Sequence, residues 1–492
     1  MDSIKPARVR ALGVAVALCG AYALSRVPVF TAGYGGDGDY WNVASVARRI
    51  LESGEYEMAR APGNPLHEAQ MAVALWIADA AGVSGWWVAN SFTLLWGVLL
   101  LLAVDRIRAR IGSLRAHRWP LLAMVAFLPI FWAHSADGSD HVPAAALTLA
   151  SIACALPAES AAAALLSGVL LGFAGGFRIG SLVFAPAAIL ALPTRWRSWR
   201  WLALSLGVAL VLALVYLPVL HSQGISALSP THRAHSILGR LARTAYRIDA
   251  ALLPGFLLPF AVFLIGRSRR ARHGIVRLFR RPKPAEISLL SGLLASILLF
   301  SWLPLDAAYL LPGAISVFLL ATRIVRPRVL AACACVAALS AWFEPNLVDP
   351  RTGRLAPGIY PGRVSAFVHE GRMFKDYTAF LLSRRFPPGS LVVVSRAPWG
   401  GRGEEFVLRV PAESPLRAED ASPIRTHPEL NDVWFVGYRP LLHGESRRAL
   451  ALSNRRLLID ADAIDRARQE AHGDLLAAVS SWPRSVEVFS PE

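Results

Sequence analysis

The chain is short of charge. Only 17% of its 492 residues are charged, against roughly a quarter in an ordinary soluble domain, while 54% are hydrophobic and the mean hydropathy is +0.43. That shortage excludes a soluble globular chain and points to a membrane protein. Acids are the scarcer sign, with 34 Asp and Glu against 51 Lys and Arg and a formal net charge of +17. An excess of this size can signal nucleic acid. Here the cations fall mostly between apolar segments, where membrane topology accounts for them, so nucleic acid is excluded as a partner. Cysteine is rarer still. Cys19, Cys154, Cys333 and Cys335 all sit in apolar runs and residues 345–492 hold none, so neither a disulfide framework nor a zinc site is implied. Cys333 and Cys335 point roughly 200° apart on a helix and share no site.

What the chain has in quantity is long apolar runs. Spans are expected near 11–30, 86–104, 119–133, 142–156, 160–177, 180–193, 201–220, 249–266, 286–303, 307–321 and 329–344, about eleven in all. Several are short for a hydrocarbon core of about 30 Å. Lys5, Arg8 and Arg10 before the first run resemble a secretory leader, but its length and the spans that follow favour an uncleaved anchor.

Charge then sets the orientation. With the N-terminus inside, the clusters Arg106 to Arg118, Arg195 to Arg200, Arg267 to Lys283 and Arg323 to Arg328 share one side. The opposite loops carry Asp37, Asp39, Asp137, Asp140 and Asp306. This parity requires Pro65 to Ala81, which contains His67, Glu68, Gln70 and Asp79, to be an interfacial or re-entrant helix. Just before it, Val43, Val46, Ala47, Ile50 and Leu51 form an apolar stripe at helical spacing with Arg48 and Arg49 off it.

After Glu344 the composition turns to Pro, Gly and mixed charge. A helix is expected over Phe374 to Arg385, strands over Ser390 to Ser395, Val433 to Gly437 and Arg456 to Ile459, and a helix over Ala461 to Val479. Trp399 to Gly403 lacks the spacing of a phosphate loop and reads as a turn. The expected fold is an α-helical polytopic membrane protein of about eleven transmembrane helices. Amphipathic helices lie in its first outer loop, and a small extracytoplasmic α/β domain over 345–492 follows the membrane domain of 1–344.

Asp37 and Asp39 stand between the first span and the amphipathic helix, where paired carboxylates can bind a divalent cation or take a proton. A solvated Gly- and Asp-rich turn is the plain alternative. The stretch as a whole resembles the first outer loop of the GT-C glycosyltransferase superfamily, which includes protein O-mannosyltransferases and lipid A aminoarabinose transferases. The residues that carry the resemblance are the acid after the first span, the helix Tyr40 to Ser53, Gly54-Glu55-Tyr56, Arg60-Ala61-Pro62-Gly63-Asn64-Pro65, and Glu68.

The resemblance implies that the loop acid is a catalytic base or a metal-associated residue, by position Asp39 with Asp37 beside it. Many relatives carry two adjacent acids; Gly38 intervenes here and leaves open which aspartate acts. Arg60 and Glu68 are candidate substrate-binding residues of the same loop. His134 to Asp140 is a second outer acidic turn, with Asp137 and Asp140 as candidate binding residues; Asp140 opens a span as the family's second-loop acid does, for which helix capping is the alternative. Arg178, at a span boundary, is either a binding residue or a snorkelling arginine. His232, Arg233, His235, Arg240, Arg243 and Arg247 break the charge rule on the outer side. They read as a site for a donor phosphate, or as a basic helix on headgroups. Asp306 and Tyr309 fit a late family segment, with Tyr309 read first as an interfacial anchor.

The function implied is transfer of a monosaccharide from a polyprenyl-phosphate carrier to a lipid, glycan or protein acceptor. It would take place at the outer face of the cytoplasmic membrane, with a divalent metal as a candidate cofactor. A carboxylate would assist proton loss from the acceptor hydroxyl, and arginines or a metal would stabilise the departing phosphate. Two competitors are a transporter or flippase for lipid-linked sugars and a non-catalytic membrane assembly protein. Transporters gather ionisable residues near the midplane and show repeated halves, whereas these acids lie at span ends and no repeat is visible.

Overall fold

The structure is a computed structural model. It describes residues 4–36, 38–56, 58–59, 62–193, 197–225, 268–302, 307–348, 355–383, 386–387 and 389–394, with short segments at 417–418, 425–426, 434–437, 456–461, 464 and 486–489. Several expectations therefore lie outside the described residues. They are Asp37, Arg60, the span at 249–266, the basic loop with His232, Arg233, His235, Arg240, Arg243 and Arg247, Asp306, the turn at 399–403 and most of the helix over 461–479.

Along the chain, α1 (Ile4–Phe30) is followed by α2 (Gly38–Ser53), α3 (Pro65–Ala81), α4 (Gly85–Arg110), α5 (Arg118–Ala126), α6 (Pro129–His134), α7 (His141–Ala155), α8 (Ala161–Phe177), α9 (Ala185–Ala191) and α10 (Arg197–Gln223). Beyond residue 268 come α11 (Arg269–Arg280), α12 (Pro284–Trp302), α13 (Leu311–Ala321), α14 (Pro327–Ser340) and α15 (Arg363–Ser383). Helix occupies each expected span among the described residues. Among the described residues, three segments, Gly85–Arg110, Trp199–Gln223 and Pro284–Trp302, are long and apolar enough by themselves to cross a membrane. Six further apolar helices are shorter. Contacts divide the chain into two compact units, one of residues 1–30, 56–70 and 89–366, the other of 31–55, 71–88 and 367–492.

The first unit is a helical bundle. Within it, α8 packs along α10. Gly168 and Gly172 of α8 and Gly207 of α10 allow it: a Cβ on Gly207 would lie 2.5 Å from the Leu165 carbonyl oxygen and one on Gly172 2.7 Å from Val211. Small residues bring helices together where lipid supplies no hydrophobic drive between them. On its other side α8 is tied to α7 by a hydrogen bond of 2.9 Å between the buried hydroxyls of Ser151 and Ser167.

One expected span is broken. The sequence predicts a single helix over 119–133, but α5 stops at Ala126 and α6 restarts at Pro129. Proline cannot donate to the preceding turn and disfavours helical backbone in the residue before it, and Leu128 is accordingly extended at φ −61°, ψ 123°. The last span also ends early, at Ser340; residues Phe343–Val348 (β1) instead pair antiparallel with Leu355–Pro361 (β2), a hairpin the sequence does not predict.

One end of this unit gathers basic loops. Arg323 Nη1 donates to the Gly112 carbonyl at 2.8 Å, its Nε lies 3.2 Å from Glu286, and His117 Nε2 lies 3.0 Å from the Val325 carbonyl. The opposite end holds the turns with Asp137, Asp140 and Arg178.

In the second unit, the face of α2 bearing Tyr40, Trp41, Val43, Ala44, Val46 and Ala47 is buried. Trp41 Nε1 donates to the Gly35 carbonyl at 2.8 Å and its ring lies over Gly33, whose φ of +76° and lack of room for a Cβ demand glycine. Arg48 of α2 meets Asp79 of α3 through two contacts of 2.5 and 2.9 Å. The C-terminal part of the unit carries a sheet of order β4-β5-β6-β3-β7-β8. The three runs read as strands are β3 (Ser390–Val394), β6 (Trp434–Gly437) and β7 (Arg456–Asp460). They lie parallel with β8 (Val486–Phe489), and β4 (Arg417–Ala418) and β5 (Arg425–Thr426) extend the edge antiparallel.

Candidate active site

The break between α5 and α6 delivers the chain into the turn 134–140, between α6 and α7. Asp137 and Asp140 are both fully buried there. Asp137 folds the turn on itself: Oδ1 accepts from the Ser139 amide at 3.0 Å and Oδ2 lies 3.3 Å from His134 Nδ1. Asp140 occupies the position before α7 but its side chain caps nothing. Its Oδ1 lies 2.5 Å from Arg178 Nη1, and Oδ2 accepts from Asn64 Nδ2 at 2.8 Å. Capping therefore does not explain Asp140.

Arg178 ends α8 in extended backbone, which turns its side chain off the helix and into the unit. The guanidinium sits 4.1 Å above the Tyr309 ring and Nη1 lies 3.0 Å from His141 Nε2. Arginine has no acceptor, so His141 Nε2 must accept, which puts the proton of a neutral imidazole on Nδ1. At 11% side-chain exposure with a buried carboxylate partner, Arg178 is not snorkelling. Nor is Tyr309 only an interfacial anchor, because its ring meets both Arg178 and, edge-on at 5.3 Å, His141. His134 continues the polar line, 5.6 Å ring to ring from His141 and 3.4 Å from Arg363 Nη2.

Two supports hold these groups. The loop before α3 brings in Asn64, and it is fixed by Glu68, fully buried in the first turn of α3. Glu68 accepts from the Tyr56 hydroxyl and, at 2.9 Å, from the Ala59 amide. Burial, reinforced by the Glu68 carboxylate, pushes the Tyr56 phenol above its ordinary range, so it remains a donor at neutral pH. His67 Nε2 reaches the Gly138 carbonyl at 2.8 Å, and Tyr216 donates to the carbonyls of Gly63 and Gly175 at 3.4 and 3.2 Å. Glu68 thus gives oxygens to the loop before α3.

The second support is Arg26, fully buried in α1. Its Nε donates to Ser135 Oγ at 2.9 Å, Nη2 donates to the Ala126 carbonyl, and the guanidinium lies 4.0 Å above Tyr22. Ala126 is the last residue of α5, so Arg26 takes over a carbonyl at the break and braces the turn that follows.

A small cleft opens beside the ion pair. His141, Arg178, Ser181 and Tyr309 line it together with apolar Phe184, Leu299 and Pro312. In the second unit, Asp39 lies in the first turn of α2, half-buried, where the positive end of a helix favours a carboxylate. Among the described residues no group of three or more His, Cys, Asp or Glu side chains gathers as a metal site.

Glycosyltransferases of known structure resemble this chain. ArnT from Cupriavidus metallidurans bound to undecaprenyl phosphate is similar at 17% identity and a TM-score of 0.48, over 67% of this chain and 64% of that one. Its apo state is similar at 18% identity and a TM-score of 0.46, over 66% and 62%. Arabinofuranosyltransferase AftD from Mycobacteria follows at 18% identity and a TM-score of 0.45, over 80% of this chain and 32% of AftD. The chain thus spans 64% of the length of undecaprenyl phosphate-bound ArnT. No protein-family model matches the sequence, and no curated protein does. A likeness this loose leaves functional conclusions to the chain's own residues.

Of the residues singled out in the sequence, Asp137, Asp140, Arg178 and Tyr309 come together. Glu68, at the start of α3, ties down the loop that carries Asn64, and Asp39 lies in the other unit. Sequence reasoning missed Asn64, His141 and Arg26. The signals were present: Asn64 lies within the loop run already picked out, His141 follows Asp140, and Arg26 is a charge inside an apolar run, which is rarely idle.

Proposed function

We propose that the chain is a GT-C-type glycosyltransferase that moves a monosaccharide from a polyprenyl-phosphate carrier to an acceptor at the outer face of the cytoplasmic membrane. The observation that carries this reading is the cleft beside Asp140 and Arg178. Arg178 and His141 line it together with apolar Phe184, Leu299 and Pro312, the pairing of a phosphate-recognising guanidinium with apolar surface that a phosphate joined to an isoprenoid chain would need. In this reading Arg178 carries the charge that grows on the departing phosphate, Asp140 and Tyr309 hold its guanidinium plane, and Asn64 and Arg26 keep the acidic turn in place.

Asp39 is assigned the base that takes the acceptor's proton, with Asp37 as its companion. His232, Arg233, His235 and Arg240 are assigned to the donor phosphate, Arg60 and Asp306 to the sugar or acceptor. A divalent cation between Asp37 and Asp39 is part of the proposal. Loss of transfer on chelation, restored by magnesium or manganese, supports it, and full activity in chelator removes it.

Proteoliposomes carrying a labelled polyprenyl-phosphate sugar test the role of Arg178. Arg178→Gln is expected to lower transfer about 100-fold or more, with a raised KM for the donor. Wild-type kinetics in that variant would remove the phosphate assignment.

A further inference from the structure

The helix α11, RRARHGIVRLFR, has no part in the site and was not foreseen in the sequence, where Arg267 to Lys283 reads only as a basic loop. Ser268 caps it, accepting from the Ala271 amide at 3.3 Å. At 100° per residue, Ala271, Gly274 and Leu278 form one edge. Ala271 and Leu278 are buried, and Gly274 lies against the turn after α13, where a Cβ would be in ordinary contact with Ile324 at 3.4 Å. That edge holds the helix to the bundle and leaves the rest of its surface outward.

The outward surface is ordered. Phe279 is 70% exposed and Val276 47%, three residues apart and therefore neighbours on one side of the helix. The cations share this outward surface, with Arg272 at an angle between Phe279 and Val276. Arg269, Arg272, Arg277, Arg280, Arg281 and Lys283 are all exposed, and α11 contains no acid. At this end of the bundle Glu286 is engaged with Arg323, and Asp105 with Arg108 and Arg118. Three residues after α11 ends, α12 begins, and α12 is one of the helices long and apolar enough to cross a membrane. A helix that ends just before a span starts, with large apolar side chains among guanidinium groups, has the pattern of one lying in a headgroup layer.

We propose that α11 is a binding surface for anionic phospholipid, with its arginines on the lipid phosphates and Phe279 and Val276 entering the acyl boundary. The occupant is the bilayer around the protein. Charge complementarity and continuity with α12 favour it over a soluble acidic partner.

The test places a nitroxide at Phe279→Cys in the full chain, with the four native cysteines replaced by alanine. Because Phe279 is exposed, the label leaves the packed edge intact. In nanodiscs containing phosphatidylglycerol the label should be reached by oxygen and shielded from a water-soluble nickel reagent, and in phosphatidylcholine nanodiscs it should move toward water. Changing Arg269, Arg272, Arg277 and Arg280 singly to Gln should weaken retention of phosphatidylglycerol by about fivefold each. Equal, water-like accessibility in both bilayers would overturn the proposal, as would a label shielded only when soluble protein is added. Retention of phosphatidylglycerol unchanged by all four substitutions would equally overturn it.

Discussion

At the scale of the residue, the pair Asp140–Arg178 decides most. Asp140 is fully buried and Arg178 partly buried against it at 2.5 Å, so removing one strands a charge, which costs about 3–5 kcal/mol. Asp140→Asn and Arg178→Met are each expected to unfold earlier in denaturant, while the double variant Asp140→Leu with Arg178→Met recovers much of the loss; additive losses would show that the two do not act as a pair. Tyr56 gives a pH signature. Its folded pKa is raised, so the stability it contributes is fully present below the ordinary tyrosine value of about 10 and is lost as pH rises beyond it. Thermal unfolding in detergent should decline above that pH in the wild type and flatten in Tyr56→Phe. The acids and Arg178 were legible as residues at span ends. Their partners were not, because Asn64 and His141 are ordinary polar residues until the fold sets one 76 and the other 37 positions away in sequence from the group it touches.

At the scale of the element, helix existence was legible because apolar runs of this length have few other uses. Helix breaks and edges were less so. Pro129 splits what hydropathy reads as one span, since hydropathy counts greasiness and not backbone donors. Pro129→Ala is expected to let α5 run into α6 and take the Ala126 carbonyl from Arg26, shifting the acidic turn. Activity should fall about 10- to 100-fold with less change in donor KM, measured as initial rates in proteoliposomes. The α8–α10 seam is the second case. Gly168→Ala would push a methyl into the Leu204 backbone and is expected to lower stability by about 1–3 kcal/mol, read as an earlier unfolding midpoint. Spacing alone marks Gly168 and Gly172 as one helix face, but nothing in the sequence names α10 as the helix they meet. The hairpin β1–β2 was missed because Pro and Gly at 345–362 read as a linker.

At the scale of the whole molecule, charge asymmetry was the most informative feature of the chain, and the first unit keeps it: basic loops meet at one end and the acidic turn lies at the other. If the basic end is cytoplasmic, a membrane-impermeant maleimide on intact cells should label Gln223→Cys and spare Arg115→Cys in a background without the native cysteines; the reverse pattern would invert the topology. The most direct test of the central claim is transfer itself, measured with the purified chain in proteoliposomes supplied with labelled polyprenyl-phosphate sugars and an envelope acceptor fraction. The account predicts that label leaves the lipid carrier for the acceptor with the wild type, and that Asp37→Asn with Asp39→Asn abolishes it. No transfer from any polyprenyl-phosphate sugar, or undiminished transfer in the double variant, would contradict it.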